Sequence, residues 1–146
     1  MNELVGEFHH KLDAKARLSL PSKIRSVIGE VVIVTRGLDG CSYVYSQDQW
    51  GVITEKLSTL SLGSQSARAF NRFILSSAVE TSIDKSGRIL VPETIRDHAG
   101  LADEVVIAGV GNRLELWNPA NWHNQLGQFD ENIDELAEKL ADIGAI

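Results

Sequence analysis

The sequence predicts an α+β fold, mainly β, that is built from two copies of one small unit joined by helices. A pattern of strand-forming residues, a turn and a proline begins at residue 12 and again at residue 83. Within each copy, glycine-rich turns separate further apolar runs, as expected for hairpins. Between the copies, apolar residues recur at spacings of three and four, which indicates amphipathic helices.

The repeat is clearest over residues 12–25 and 83–96. Both segments read apolar-D-x-x-[A/G]-R-[L/I]-x-[L/V]-P-x-x-I-R, where x is any residue. The similarity continues with small gaps as far as Trp50 in the first copy and Trp122 in the second. Because a repeat of this length indicates a duplicated structural unit, it has to be recognised before the elements are assigned.

The repeat divides the chain into four predicted segments. The first copy covers residues 6–50 and the second covers residues 79–122. A helical connector, 51–78, joins the two copies, and residues 123–146 form an acidic carboxy-terminal helix or tail.

Each copy is expected to follow the order strand, turn, strand, short helix, strand, hairpin, strand. The aspartate of D-x-x-[A/G] can cap local backbone N–H groups, and Gly87 can adopt positive φ without steric cost. The next residues have strand composition, and Pro21 or Pro92 can then begin a short helix. The later apolar runs are predicted strands that are connected through residues 37–40 and 109–112.

Longer helices are predicted in the connector and in the tail. Apolar spacing over 50–60 and again over 67–78 predicts two packed amphipathic helices. The second copy closes with a helix that Asn118 can cap and that Pro119 can begin. The tail has an apolar stripe over 133–140 beside an acidic face, so we expect a frayed surface helix or a surface for assembly.

The net charge of -6 is unevenly distributed along the chain. Residues 128–146 hold six carboxylates against Lys139 alone, so most of the negative excess lies in the tail. The segment 7–25 is instead locally basic, which is the kind of distribution that matters for binding a polyanion. Its cations are Lys11, Lys15, Arg17, Lys23 and Arg25.

The sequence contains no arrangement typical of a catalytic or cofactor site, so we predict that the chain is not an enzyme. Gly109 and Gly111 lack the third glycine of a dinucleotide fingerprint and lie between predicted strands. His9 and His10 point to opposite faces of a strand, which makes them a poor metal pair. We therefore expect no metal, no cofactor and no small-molecule substrate.

The cysteine content and the apolar runs bear on the compartment. The single cysteine, Cys41, cannot form an internal disulfide, and we interpret it as a packed strand residue. No apolar run approaches the roughly 20 residues of a membrane-spanning helix. The first residues, Met1 to Leu4, also lack the basic-then-apolar order of a signal peptide. We expect a cytoplasmic protein without a membrane partner.

Each copy contains an arginine, Arg17 or Arg88, four residues after an aspartate and four before a proline. In a structural interpretation, the aspartates form the turns and the arginines pair with them. In a functional interpretation, the hairpin tips present Lys15 with Arg17, and Lys85 with Arg88, to DNA. Arginine can bind a guanine edge through two hydrogen bonds, whereas lysine on phosphate positions the protein. The residues alone leave both interpretations open.

These motifs resemble the AbrB-like swapped-hairpin DNA-binding motif. Their two-copy arrangement with a helical connector resembles the MraZ family of bacterial transcription regulators, over nearly the whole chain from Gly6 to Trp122. The resemblance implies a β-barrel in which 6–50 and 79–122 are two intertwined AbrB-like repeats. It also implies a ring-shaped homo-oligomer that presents many copies of the basic tips to double-stranded DNA.

The resemblance further implies a function. Proteins of this kind resemble repressors that bind short direct repeats in the promoter of their own operon, which carries cell-division and cell-wall genes, and they act at the nucleoid. The residues predicted to bind DNA are Lys15, Arg17, Lys85 and Arg88 at the tips, Arg25 and Arg96 on the helices, and Lys11 and Lys23 beside them.

The first turn departs from the family pattern because Ala16 replaces a common glycine, while Gly87 keeps it. If the turn needs positive φ, Ala16 adds strain. Two other functions compete with DNA binding. One is an antitoxin-like or scaffold protein that acts through assembly alone, with the connector helices as partner surface. The other is an enzymatic function, for which the sequence contains no catalytic arrangement. Substitution of Arg17 by alanine distinguishes a DNA-reading arginine from a structural one.

Overall fold

The two copies of the repeat form equivalent sets of strands and helices. The structure is a computed structural model that describes residues 3–146. Met1 and Asn2, on which part of the signal-peptide argument rests, lie outside the described residues. The first copy and the connector contain β1 (Leu4–Lys11), β2 (Arg17–Ser19), α1 (Ser22–Ile28), β3 (Val31–Arg36), β4 (Ser42–Ser46), α2 (Gln47–Ser58) and α3 (Gln65–Leu75). The second copy and the tail contain β5 (Val79–Ser82), β6 (Arg88–Leu90), α4 (Glu93–Ala99), β7 (Glu104–Gly111), β8 (Leu114–Trp117) and α5 (Pro119–Asp142).

The strands form two antiparallel sheets. Six strands make one sheet in the order β1-β7-β8-β4-β3-β5, and β2 pairs with β6 in a separate two-stranded sheet, here called the ribbon. The pairs β1 with β7, β3 with β5, β4 with β8 and β2 with β6 each join the first copy to the second. The first hairpin strand of each copy therefore pairs with a strand of the other copy, and the two copies are interlocked.

Hydrogen bonds do not close the barrel that the family resemblance implies. The large sheet ends at β1 on one side and at β5 on the other. The first hairpin leaves that sheet through a single bridge between Leu12 and Leu18, after which β2 pairs only with β6. The mixed α+β class is confirmed, but the architecture is an open sheet covered by a short ribbon.

The main core lies between one face of the large sheet and a cover made of the ribbon, α1 and α4. Leu18 and Ile89 enter it from the ribbon and are fully buried. Ile24 of α1 and Ile95 of α4 occupy equivalent positions, each four residues before the last residue of its helix, and both are buried in this core. Burial of large apolar side chains on this scale supplies most of the driving force for folding.

A second, aromatic cluster covers the other face of the sheet. Tyr43, Tyr45 and Trp117 lie on the strands, and Trp50 of α2 and Trp122 of α5 pack against them. This face therefore carries the helices α2 and α5.

Cys41 lies in this cluster and is fully buried. It is a loop residue directly before β4, so the interpretation as a packed residue is right and its placement within a strand is wrong. Burial raises the pKa of the Cys41 thiol well above its usual range, which keeps the sulfur protonated and unreactive.

The two predicted connector helices are confirmed as α2 and α3. Ser46 and Ser64 cap them, since each hydroxyl accepts a hydrogen bond from a backbone N–H of the first turn. Leu57 of α2 and Ile74 of α3 are their buried anchors.

The helix α5 begins as predicted, with Asn118 as cap and Pro119 in the first turn. It then continues through the boundary between residues 122 and 123 to form one helix of 24 residues without a buried side chain. The tail is thus a continuous surface helix. Within residues 3–146, no helix is both long enough and apolar enough to cross a membrane.

Candidate nucleic-acid interface

The first hairpin turn is organised by the side chain of Asp13. Its Oδ1 accepts hydrogen bonds from the backbone N–H groups of Lys15 and Arg17, both at 2.9 Å. The N–H of Ala16 donates to the carbonyl oxygen of Asp13 at 3.0 Å, and the N–H of Asp13 donates to the carbonyl oxygen of Arg17 at 3.0 Å. This is a three-residue hairpin loop, in which a turn is followed by one residue of positive φ.

The second turn repeats this geometry around Asp84. Its Oδ1 accepts from the N–H groups of Ser86 and Arg88, both at 2.9 Å. The fourth residue of each turn has positive φ, 79° at Gly87 and 59° at Ala16. The turn therefore does require the left-handed conformation, and Ala16 adopts it against the preference of a residue with a Cβ atom.

Both tip arginines are held by aspartates. Arg17 Nε donates to Asp13 Oδ2 at 2.9 Å, and Arg88 Nε donates to Asp84 Oδ2 at 3.1 Å. Arg88 Nη1 also donates to Asp13 Oδ2 at 3.4 Å, which links the two copies. The contacts of the structural interpretation are thus present, and they fix the orientation of both guanidinium groups.

These bonds also keep both aspartates ionised. The backbone N–H of Arg17 contributes most to lowering the pKa of Asp13, followed among the stabilising contacts by the N–H of Lys15 and the Arg17 side chain. The pKa of Asp84 is lowered in the same way, with the backbone N–H of Arg88 as the largest cause.

The ribbon places both arginines on one outer face. In its register Arg17 lies opposite Leu90, and Ser19 lies opposite Arg88. Since side chains alternate along a strand, these four point away from the core, while the central residues of β2 and β6 point into it. Leu90 is 52% exposed on this face. Ser19 and Leu90 were not predicted from the sequence to be part of this face. They are equivalent positions of the two copies, and the presence of a serine in one and a leucine in the other was the signal available in the sequence.

The tip lysines extend this face at its two turns. Lys15 and Lys85 are exposed, and among residues 3–146 neither side chain forms a salt bridge or a hydrogen bond. Unlike the arginines, they are cations whose charge is not balanced by a bonded carboxylate. They are therefore the side chains most available to a phosphate group.

Arg25 reaches the second tip from the helix of the first copy. A Cβ atom built on Gly87 would lie 2.5 Å from Arg25 Nη1 and 2.7 Å from its Cζ, so the guanidinium group lies directly against this turn. Beside it is an open cleft of about 480 Å³ whose lining includes Glu30, Asp84 and Lys85. The glycine motif of the second copy thus makes room for a cation of the first copy, a relation that spacing along the chain does not reveal.

The other predicted cations lie outside this group. Arg96 Nε donates to the backbone carbonyl of Val91 at 3.0 Å, and the side chain is half-buried. Lys11 is exposed at the end of β1 and lies opposite Glu104 in the strand register. Lys23 is exposed on α1, but two residues along a helix correspond to about 200°, so it points away from the side of Arg25.

The structure therefore brings five of the eight predicted residues together at the ribbon and its turns. These five are Lys15, Arg17, Arg25, Lys85 and Arg88. Within the described part of the chain, no group of three or more His, Cys, Asp or Glu side chains could hold a metal ion. His9 instead bonds Glu7 through Nε2 at 2.8 Å, and this bond lowers the pKa of Glu7.

Comparison with known proteins gives one family. The family model of the MraZ protein, described as antitoxin-like, matches residues 4–73 and again residues 74–143. Each match contains one copy of the repeat, and the boundary between them falls within α3.

Several full-length relatives have the same name. The chain is 46% identical over 140 residues to the transcriptional regulator MraZ of Pediococcus pentosaceus, which covers 96% of this chain and 98% of that protein. It is 43% identical over 141 residues to the transcriptional regulator MraZ of Caldicellulosiruptor bescii, covering 97% and 99%. It is 47% identical over 137 residues to that of Limosilactobacillus reuteri, covering 94% and 96%.

Proposed function

The chain belongs to the MraZ family, and from that premise we propose that it is a sequence-specific DNA-binding transcriptional regulator. Its relatives are named transcriptional regulators, so the prediction that the chain is not an enzyme is confirmed. One observation above all supports DNA binding. The ribbon joins the two copies and carries an arginine from each on a single outer face.

The ribbon fits the geometry of duplex recognition. The major groove of B-DNA is about 12 Å wide and admits a two-stranded ribbon. Arg17 bonds an aspartate through Nε, and Arg88 bonds aspartates through Nε and Nη1, which leaves other guanidinium N–H groups of both to read guanine O6 and N7. Because the aspartates already fix the arginines, less side-chain freedom is lost on binding. Lys15 and Lys85 would bind phosphates and set the register of the protein on the duplex.

The remaining parts of the proposal concern assembly and target. We propose a ring-shaped homo-oligomer whose repeated ribbons bind short direct repeats in the promoter of its own operon of cell-division and cell-wall genes, repressing it. Such a protein would be cytoplasmic and associated with the nucleoid. Several weakly basic ribbons acting together give avidity and a steep dependence on salt. The acidic residues of α5, outside the ribbon, need not oppose this binding.

A salt titration tests the proposal directly. Binding of the purified protein is measured by fluorescence anisotropy to a duplex of its own upstream region and to a scrambled duplex of equal length. We expect a preference of about 10³-fold or more for the native duplex and an affinity that falls steeply with salt. Equal binding to both duplexes, or none, would contradict the proposal and favour the antitoxin-like or scaffold function.

Two variants and a control assign the residues. We expect Arg17→Ala to fold, since partly exposed ion pairs add little stability, and to lose about 1–3 kcal/mol of discrimination between the duplexes. Lys15→Ala should weaken binding to both duplexes and reduce the salt slope by about 1. Lys56→Ala removes the same charge from the exposed end of α2 and should change neither.

The opposite result for Arg17→Ala is equally informative. If this variant unfolds and no longer assembles, Arg17 is a structural residue and its assignment to DNA reading is wrong.

A further inference from the structure

The second half of α5 carries an apolar stripe that is largely exposed. At its start Trp122 packs on Phe129 with ring centroids 6.5 Å apart, and Asp39 lines an open cleft beside Phe129 and Leu136. The side chains of the stripe are between 38% and 77% exposed and recur at alternating spacings of four and three. They are Phe129, Ile133, Leu136, Leu140 and Ile143. The same spacing continues back to Leu126 and Trp122, and Trp122 packs on Trp117 of the sheet with ring centroids 5.6 Å apart. A regular four-three spacing is the pattern of a helix face that packs on another helix.

The charges beside this stripe are arranged asymmetrically. Asp130 and Asp134, four residues apart, lie about 100° and 140° around the helix from the centre of the stripe. On the other side, Glu135 is paired with Lys139 at 3.8 Å. One flank of the stripe therefore presents two aspartates without a cation beside them on α5.

The outward face of α3 is complementary in charge and polarity to this stripe and its two aspartates. Arg68 and Arg72 are also four residues apart, and they are exposed on the side of α3 away from the buried Ile74. Leu75, 40% exposed, lies on the same side, and Arg68 Nη1 donates to the carbonyl of Leu62, which is 83% exposed. This surface thus combines two arginines with exposed leucines, and α3 itself contains no acidic residue.

The two helices lie toward opposite ends of one face of the large sheet. The helix α5 packs on β7 and α3 packs on β3, and β8 and β4 separate these strands. Trp122 places α5 on the aromatic face. The helix α3 meets the same side of β3, since Thr35 bonds the carbonyl of Ile74 while the adjacent Val34 enters the main core. At the end of β3, Phe73 of α3 also packs on His98 of α4 with ring centroids 5.4 Å apart. A contact between two unlike patches of neighbouring copies adds subunits head to tail and closes into a ring if the rotation allows.

We infer that α5 of one copy packs on the outward face of α3 of a second copy. The apolar stripe covers Leu62 and Leu75, and Asp130 and Asp134 pair with Arg68 and Arg72 of the neighbour. This inference rests on the proposed self-assembly and names its contact surfaces. Pairing of α5 with another α5 is less favourable because it brings two strongly acidic helices together.

Charge reversal on each side tests the contact. One variant carries Asp130→Arg with Asp134→Arg, and a second carries Arg68→Asp with Arg72→Asp. Mass is measured by light scattering and sedimentation velocity over a range of concentrations, with circular dichroism as the check on folding. We expect each variant to fall to the mass of the single chain, 16.0 kDa. An equimolar mixture should regain the assembly, because each interface then joins opposite charges again.

A matched control makes the same charge change on the far side of α5. Glu131 and Glu138 lie about 200° and 180° from the centre of the stripe, so Glu131→Arg with Glu138→Arg should leave the assembly at wild-type mass. If this control also dissociates, net charge and not local pairing controls assembly, and the inference is overturned.

The remaining outcomes separate this inference from the proposed function. An α3 variant that keeps wild-type mass while the α5 variant dissociates would show that α5 pairs with another surface, such as a second α5. Wild-type mass in both variants would mean that the copies meet elsewhere. A wild-type protein of 16.0 kDa at all concentrations would contradict the proposed assembly as well, whereas the duplex preference would still test DNA binding.

Discussion

At the scale of single residues, the fourth position of each hairpin turn controls local strain. Ala16 has φ 59°, a conformation in which its Cβ crowds the backbone at a cost of roughly 1–2 kcal/mol. Glycine removes this crowding but loses more conformational freedom on folding. We expect Ala16→Gly to stabilise the protein by about 0.5–1 kcal/mol, measured as a higher urea midpoint at unchanged slope.

The reciprocal change is the matched control. At Gly87, a Cβ atom would meet both the strained φ of 79° and the guanidinium group of Arg25. Gly87→Ala should therefore destabilise by about 1–2 kcal/mol and displace Arg25 from the turn. A neutral Gly87→Ala, or an Ala16→Gly that lowers the midpoint, would show that backbone conformation is not what limits these turns.

The aspartates make the turns sensitive to acid. Since folding lowers the pKa of Asp13 and Asp84, their contribution is complete above the ordinary carboxyl value near about 4 and is lost as pH falls through the lower folded value. Asparagine keeps the Oδ1 acceptor but does not titrate. We expect Asp13→Asn with Asp84→Asn to flatten the fall of the unfolding midpoint between about pH 5 and pH 2.

The control for this experiment is Asp142→Asn. Asp142 is exposed on α5 and accepts no side-chain hydrogen bond among residues 3–146, so its removal should leave the pH dependence unchanged. If the variant with both turn aspartates replaced shows the wild-type fall of the unfolding midpoint with pH, the turns do not govern acid stability.

The sequence predicted much of this local chemistry but not the contacts that the turns make with the other copy. Asp-x-x-Gly is a turn signal because all of its hydrogen bonds are local. The bond from Arg88 to Asp13 joins residues 75 positions apart, and Arg25 meets Gly87 across the two copies. Local patterns cannot supply such contacts, since they depend on how the copies interlock.

At the scale of elements, the ribbon is too short to be stable alone. Strands β2 and β6 have three residues each, and Leu18 and Ile89 fix them to the core. We expect Leu18→Ala to cost about 2–5 kcal/mol in the free energy of unfolding. Leu90→Ala removes the same atoms from the outer face of the ribbon and should cost little. Similar losses for the two variants would show that the ribbon does not cover the core.

Strands and helices could be predicted where their sequence signals are local. The positions at which elements end were harder to predict. Composition predicted β2 and β6, but register and partner are set by residues in the other copy, so the open sheet was not foreseen. The end of the repeat at Trp122 suggested a boundary. The helix continues because the residues up to Asp142 contain no proline after Pro119, and a single Gly127 is tolerated.

At the scale of the whole molecule, opposite charges are concentrated in different elements. The ribbon and its turns carry two lysines and two arginines, whereas α5 holds six acidic residues beside one lysine. The repeat revealed the duplication but not the exchange of strands, because an internal repeat is equally compatible with two side-by-side domains.

Interlocking predicts that neither half of the chain folds alone as a monomer. A cut between Leu62 and Gly63 falls in the exposed loop between α2 and α3, so the fragments 1–62 and 63–146 keep all of their elements. Each fragment loses the strands that pair with its first hairpin and exposes one side of the main core.

We therefore expect each purified fragment to be unfolded, or folded only through self-association, when circular dichroism and sedimentation are measured at low concentration. Mixing them in equal amounts should restore the spectrum of the intact chain in a one-to-one complex, since β1 with β7, β3 with β5 and β2 with β6 can then pair again. A fragment that unfolds cooperatively as a monomer, with a midpoint independent of concentration, would show that the copies are separable domains. The strand exchange would then add little to stability, and the ribbon would be a contact between two finished domains.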